Sequence, residues 1–239
     1  GDGLVGLTLA KVLIQKEISV DILLNRKNNR YDKTRTLGIS KSNIDYFNKK
    51  IIDIRKIAWE IKNIKIYTEK SSNKEILNFN NKNNQIFSII RNYKLQKILI
   101  ENLKKSKFIH FKNETNYKSI NNKKYKLIIN CDPKNQITKK FFSSKIEKNY
   151  NSYAYTTIIN HKKVSENTTA YQNFTNNGPI AFLPISNTQT SVVYSLRAKN
   201  NEDNININNL IKKFNPGYSI NKINNLSLIH ISEPTRQEA

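Results

Sequence analysis

Gly1, Gly3 and Gly6, spaced Gly-x-Gly-x-x-Gly and followed by Ala10, are the residues whose types and spacing point most directly to chemistry. The pattern suits a dinucleotide. The first glycine permits a tight turn, the second lets the backbone approach a pyrophosphate, and the third allows close helix-to-strand packing. The helix N-terminus supplies positive potential. About 20 residues on, at the end of the next strand, such a site holds a ribose-binding carboxylate. Leu24 and Asn25 stand there instead, and the Asn25 amide is able to hydrogen-bond a ribose hydroxyl in place of the acid.

The remaining reactive side chains form no constellation. Cys131 is the single cysteine, so no disulfide forms within the chain, and a reducing compartment is expected. It reads as a small buried filler rather than a nucleophile. His110, His161 and His230 have no partner at metal or triad spacing, and the first two read as solvated or structural. No metal site is expected, and no catalytic side chain is assigned. Trp59 and the tyrosines do not interleave regularly with arginine, so a base-stacking platform is not supported.

The elements that must position the glycines follow from the periodicity. Leu7, Ala10, Leu13 and Ile14 lie on one face of a helix, and Val20 to Leu24 is an apolar strand broken only by Asp21, which gives turn, helix, strand. Asp45 to Phe47 and Ile51 to Ile61 predict short helical or mixed segments. Ile64 to Thr68 alternates as a strand that Glu75 to Phe79 can pair with, and Ile86 to Ile90 is a short apolar run. Asn92 to Lys105 is an amphipathic helix with Leu95, Ile98, Leu99 and Leu103 on one face. Phe108 to Phe111 and Tyr125 to Asn130 predict strands, the second nearly continuous in apolar residues, as in a buried parallel sheet. From Ser152 the pattern turns to β. Runs at 153–159, 168–174, 180–184 and 190–196, joined by short turns, predict an antiparallel sheet with one solvated face, and a helix opens near Ile205.

Composition bounds the partners. The chain has 239 residues, with 41 Lys+Arg against 18 Asp+Glu for a net charge of +23. No apolar run approaches the roughly 18 to 20 residues of a membrane-spanning helix. Such a charge favours nucleic acid or anionic lipid surfaces. Yet asparagine rivals lysine in abundance, both have A/T-rich codons, and both crowd every loop, as in Asn80-Asn81-Lys82-Asn83-Asn84. The charge therefore reads as compositional drift on solvated surface, with a functional basic face as the alternative.

Several segments together carry a resemblance: Gly1 to Ala10, Arg35-Thr-Leu-Gly-Ile-Ser40, Asn92 to Leu103, Leu127-Ile-Ile-Asn-Cys-Asp132 and Gly178-Pro-Ile-Ala-Phe-Leu-Pro184. Over residues 1 to about 215 the chain resembles the FAD-dependent aromatic hydroxylases of ubiquinone biosynthesis, flavin monooxygenases of the 4-hydroxybenzoate hydroxylase type. The resemblance implies an α/β fold, with an incomplete Rossmann-like FAD-binding domain and an antiparallel β-sheet substrate domain. The first covers residues 1–150, with inserted β and helical segments around 60–90, and the second covers 151–225. It implies FAD as cofactor, NAD(P)H as co-substrate and a polyprenyl-phenol substrate. Gly1, Gly3, Gly6, Asn25, Arg35, Arg91 and Asp132 would bind the cofactor, Arg35 as a bidentate phosphate clamp. The aspartate motif departs from the family pattern, with Cys131 and Pro133 flanking Asp132.

The resemblance further implies a cytoplasmic enzyme peripheral to the inner membrane, touching its anionic surface and other enzymes of the pathway, and binding no nucleic acid. A flavoprotein of the same fold with another reaction, or a basic nucleic-acid-binding module, is the alternative. The family's first strand and a later Gly-Asp segment have no counterpart here, so the 239 residues alone are expected to bind FAD weakly or not at all. Leu226 to Ala239 contain neither Lys nor Asn and resemble translated sequencing adapter. They are expected to be non-native.

Overall fold

A computed structural model describes residues 1–24, 33–71, 74–80, 84–112, 125–131, 138, 147–197 and 206–234. The chain opens with helix α1 (Leu4–Ile14), which buries Leu7, Ala10 and Ile14, and strand β1 (Val20–Leu23). Strand β2 (Thr36–Ser40) leads into helix α2 (Lys41–Tyr46), whose N-cap Ser40 accepts a hydrogen bond from the Asn43 N–H at 3.3 Å. A π-helical turn (Phe47–Ile51) and a 3₁₀ turn (Arg55–Ile57) follow, then β3 (Ala58–Ile61), β4 (Asn63–Thr68), β5 (Lys74–Asn80) and β6 (Phe87–Arg91). Helix α3 (Asn92–Leu103) buries Leu95, Leu99 and Leu103 at the predicted spacing, each contributing about 2 kcal/mol of apolar transfer. Strand β7 (Ile109–Lys112) then runs parallel to β1, Val20 opposite Ile109. One core gathers α1 and α3 with Ile22, Ile39, Ile44, Ile54, Ile90 and Ile109.

The second half is a meander of β8 (Glu147–His161), β9 (Thr169–Thr175), β10 (Gly178–Ser186) and β11 (Gln189–Arg197), followed by helix α4 (Ile207–Lys213), β12 (Ile220–Ile223) and β13 (Ser227–Pro234). All four predicted strands of the meander are present, paired antiparallel with the predicted turns. A three-stranded sheet, β2-β6-β3, packs beside the eight-stranded one, ordered β12-β8-β11-β10-β9-β4-β5 with β13 also on β8.

Three expectations change. The large sheet has no wholly solvated face over the meander. Ile180, Phe182, Val192 and Tyr194 pack on Ile207, Ile211 and Phe214, while Ala170 and Leu183 on the other face meet Ile61 and Ile89 of the small sheet. Apolar residues occupy both alternations of β10, which is the pattern of a strand buried on two sides. The β4–β5 hairpin forms as expected, yet it joins the large sheet, β4 lying parallel to β9 with Asn63 opposite Thr169. Residues 125–131 are not a strand, and Leu127 is 73% exposed. Among the described residues no strand offers that segment a backbone ladder, and apolar content alone does not make a strand. At the other end, Ser227–Pro234 pairs with β8, Ser227 opposite Thr156.

His161 belongs to a buried polar network. Its Nδ1–H donates to the Lys162 carbonyl at 2.8 Å, which leaves Nε2 to accept from the Thr190 hydroxyl at 3.0 Å. Asn167 Nδ2–H donates to Thr190 Oγ1 at 3.3 Å and to the Ser186 carbonyl at 2.8 Å. The Tyr218 hydroxyl donates to Asn167 Oδ1 at 2.7 Å, and its ring stacks on His161 at 4.3 Å. Burial pushes the Tyr218 phenol up to about 12, against the opposing hydrogen bonds to Thr190 and Asn167. The unfolded phenol ionises near 10, so the stability this group contributes is full below pH 10 and is lost as pH rises from there towards 12. Ultraviolet titration of the native protein is expected to show a tyrosine that does not ionise before about pH 12, absent in Tyr218→Phe. That variant also leaves the Asn167 acceptor unpaired, a loss of about 1–3 kcal/mol in denaturant unfolding. Ionisation of every tyrosine near pH 10 would overturn this reading.

Candidate functional site

The glycine turn sits at the N-terminus of α1, where Gly3 is the N-cap and no side chain caps the helix. Its backbone is extended, φ −72° and ψ 166°, and the Leu7 N–H donates to the Gly3 carbonyl at 3.0 Å. The three glycines do different work. A Cβ on Gly3 would meet nothing within 4 Å, so the space beside it is open. A Cβ on Gly6 would stand 2.3 Å from the Gly1 carbonyl oxygen, so the third glycine is what lets the turn fold back on its helix. That Cβ would also lie 3.7 Å from Cys131 Cβ. The segment preceding Asp132 therefore passes beside the glycine turn.

Asp21 anchors that segment. Its carboxylate accepts from the Tyr125 hydroxyl at 2.5 Å, pairs with Lys112 Nζ at 2.5 Å and faces His110 Nδ1 at 3.5 Å. Burial would raise its pKa, but the bonds from Lys112 and Tyr125 and the nearby positive charge outweigh burial and hold the carboxyl below its ordinary value. The charge inside β1 thus ties 125–131 to the β1–β7 pair. Asn25 and Asp132 themselves lie outside the described residues.

Helix α3 brings a second N-terminus to the turn. Gln96 Nε2–H donates to the Asp2 carbonyl at 2.8 Å, which fastens the second turn of α3 to the loop between Gly1 and Gly3. Arg91 is the α3 N-cap, and no side chain caps this helix either. Two helix N-termini therefore converge, each with first-turn N–H groups that no side chain satisfies. Arg35 joins them through the backbone, because the Asn92 N–H donates to its carbonyl at 3.1 Å. Asn92 Oδ1 is buried at this junction without a hydrogen-bond partner.

The two arginines turn opposite ways. Thr34 and Thr36, on either side of Arg35, reach the large sheet through hydroxyl pairs with Thr156 at 3.2 Å and Ser191 at 3.1 Å. Strand alternation puts Arg35 on the other side, which is exposed. Arg91 stands opposite Thr36 and shares its face. Its guanidinium donates to Gln189 Oε1 and, at 3.4 Å, to the Tyr93 hydroxyl. Gln189 Nε2–H then donates to Asn160 Oδ1 at 2.6 Å, and Asn160 Nδ2–H to Asn224 Oδ1 at 3.1 Å. Because a guanidinium only donates, it orients all three amides, each oxygen facing back along the chain towards Arg91. Sequence reasoning missed Gln189, Asn160 and the flanking threonines. The partners are far apart in the chain, and no local pattern marks them.

The cleft of about 380 Å³ between α1 and α3, lined by Gln15, Asn102 and Phe108, lies at the C-terminal ends of both helices. The negative ends of both helix dipoles meet there beside Lys11 and Lys105, which also line the cleft.

No protein-family profile and no curated protein matches the chain. Solved structures do. The flavin-dependent monooxygenase PieE, in complex with FAD and substrate, aligns with a TM-score of 0.72 at 12% identity, over 98% of this chain and 49% of its own. Klebsiella pneumoniae HpxO, complexed with FAD and uric acid, aligns at 0.65 and 9% identity, over 97% of this chain and 66% of its own. A mutant of Pseudomonas aeruginosa PqsL aligns at 0.62 and 12% identity, over 82% of this chain and 59% of its own. The chain thus spans between about half and two thirds of the length of these proteins. Its mixed sheets, with the glycine turn opening α1 and the antiparallel sheet alongside, have the fold of FAD-binding monooxygenases.

Proposed function

We propose that the chain is part of an FAD-dependent monooxygenase that hydroxylates the aromatic ring of a polyprenyl-phenol in ubiquinone biosynthesis, with NAD(P)H and O₂ as co-substrates. The observation that carries this reading is the convergence of two N-termini without side-chain caps, those of α1 and α3, on a glycine turn that is open at Gly3. The residues fit FAD. The open side of Gly3 admits a pyrophosphate, the helix ends and Arg35 complement its charge, and the orphaned Asn92 Oδ1 offers an acceptor to a ribose hydroxyl. Asn25 and Asp132 complete the proposed set, with Gly1 and Gly6 shaping the turn and Arg91 holding the start of α3.

When bound, the flavin supplies the redox chemistry. This chain's residues bind, orient and exclude water. The Thr34–Thr156, Thr36–Ser191 and Arg91–Gln189 contacts hold the two sheets together on either side of Arg35. That seam gives a buried reaction centre walls that keep their spacing. The proposed setting is the cytoplasmic face of the inner membrane, where the charge of +23 draws the protein to anionic lipid and other enzymes of the pathway are neighbours.

The test uses the full-length protein. It is expected to purify with bound FAD and to oxidise NAD(P)H faster when a polyprenyl-phenol is supplied. NAD(P)H oxidation indifferent to the phenol would point to another flavoprotein reaction. Absence of flavin, together with DNA or RNA affinity falling steeply with salt, would replace the proposal with a nucleic-acid-binding module.

A further inference from the structure

The large sheet ends in an edge ribbon, β4–β5, that the small sheet covers at Ile64 and leaves open towards Leu77, Phe79 and Phe174. Residues directly opposite each other on paired strands project from the same face. Ile64 stands opposite Phe79 and Ala170, Ile66 opposite Leu77 and Gln172, and Thr68 opposite Lys74 and Phe174. Leu77 is 51% exposed, Phe79 49% and Phe174 43%, so one face of the ribbon presents three large apolar side chains to solvent around the half-buried Ile64 and Ile66.

The charges of the ribbon are sorted between its faces. Lys74 rims the apolar face, which carries no carboxylate among these paired residues. Glu75 stands opposite Tyr67 on the other face, where it accepts from the Tyr67 hydroxyl at 3.2 Å and from Asn78 at 3.1 Å and pairs with Lys65 at 3.5 Å. Glu69, just beyond β4, is neutralised by Lys213 at 2.6 Å and the Asn176 N–H at 3.1 Å. An apolar surface with a basic rim, its carboxylates turned away and paired, complements an anionic amphipathic partner. A second copy of the chain is a poor partner for it, because each copy carries +23.

We propose that the apolar face of the β4–β5 ribbon, with Phe174 beside it, is where the protein enters the headgroup region of an anionic lipid bilayer. The inference rests on the membrane-surface reading above and deepens it by naming the face. Leu77 and Phe79 insert between the acyl chains and the headgroups, and Lys74 lies at the level of the lipid phosphates.

The experiment compares co-sedimentation of the flavin-loaded, full-length protein with phosphatidylcholine vesicles and with phosphatidylcholine–phosphatidylglycerol vesicles. Leu77→Ser combined with Phe79→Ser is expected to weaken partitioning into the anionic vesicles by about tenfold to thirtyfold, with flavin content and melting temperature unchanged. Lys74→Gln should weaken it about threefold to fivefold at low salt and have little effect at high salt. Should the double variant not fold, Phe174→Ser is expected to lose at least about threefold. If the unmodified protein ignores anionic vesicles, the membrane reading falls and this face with it. If it binds and the variants bind equally well, only the assignment of this face is overturned. Light scattering that shows a dimer dissociated by the double variant would assign the face to a second copy instead.

Discussion

Gly3→Val in the full-length protein is expected to abolish flavin retention while lowering the melting temperature by no more than about 3 °C. The two effects separate because of where Gly3 sits. Its backbone is extended, a conformation open to any residue, and a Cβ there meets nothing within 4 Å. The fold therefore accepts a side chain, at the cost only of a less favoured helix cap. A bound pyrophosphate does not, because it must come against the same backbone. A valine there occupies the volume the ligand needs, and affinity should fall by at least about a hundredfold. Flavin absorbance of the purified variant beside its thermal melt decides the matter. Stoichiometric yellow protein would end the fingerprint reading, and a fall of ten degrees or more would make Gly3 a folding residue. Gly6 provides the contrast, since its missing Cβ would collide with the Gly1 carbonyl whether or not a ligand is present.

Gly178→Ala carries the largest expected cost in stability, about 3–5 kcal/mol. Gly178 opens β10 at φ +140°, where a side chain is strained whatever the space. A Cβ there would also lie 1.9 Å from the Ser195 carbonyl oxygen, which is backbone of β11 and cannot rotate aside. Strain and collision are separable. Gly217 has φ +107° with nothing within 4 Å of its Cβ, so Gly217→Ala incurs the strain alone, about 1–2 kcal/mol. Urea unfolding of both variants should show Gly178→Ala as the less stable by at least about 2 kcal/mol. Equal losses would mean that β11 moves away from β10 more easily than this close approach implies.

Much of this architecture is legible in the sequence, and the reasons are local. The glycine spacing and the Leu95-Leu99-Leu103 stripe each lie within a few turns of helix, where spacing and structure are linked by a single period. The meander is legible because its strands are neighbours in the chain, joined by turns with their own residue signatures. What escapes is decided at long range. Ile64 to Thr68 alternates correctly, but nothing in those five residues says that their parallel partner begins at Thr169. Leu127 to Ile129 reads as a buried strand, yet a strand needs a ladder, and the partner is not encoded in the segment itself. The seam of Arg91, Gln189, Asn160 and Asn224 is likewise invisible, because asparagine crowds every loop and no local pattern marks the three amides that line up behind the guanidinium.

The parallel seating of β4 beside β9 also sets an order of events as the chain is made. Asn63 and Thr169 are 106 positions apart, so the ribbon has no sheet to join until residues through about 175 have emerged and the meander has begun to form. Closing that loop costs entropy before the contact repays it, and contacts this remote slow folding. At about 5–20 residues per second, the β4–β5 hairpin waits roughly 5 to 20 seconds with both edges unpaired and Leu77 and Phe79 exposed. A nascent chain in that state offers an unpaired strand edge to whatever else can form a ladder with it, so the yield of native protein is expected to rise with chaperone capacity during synthesis.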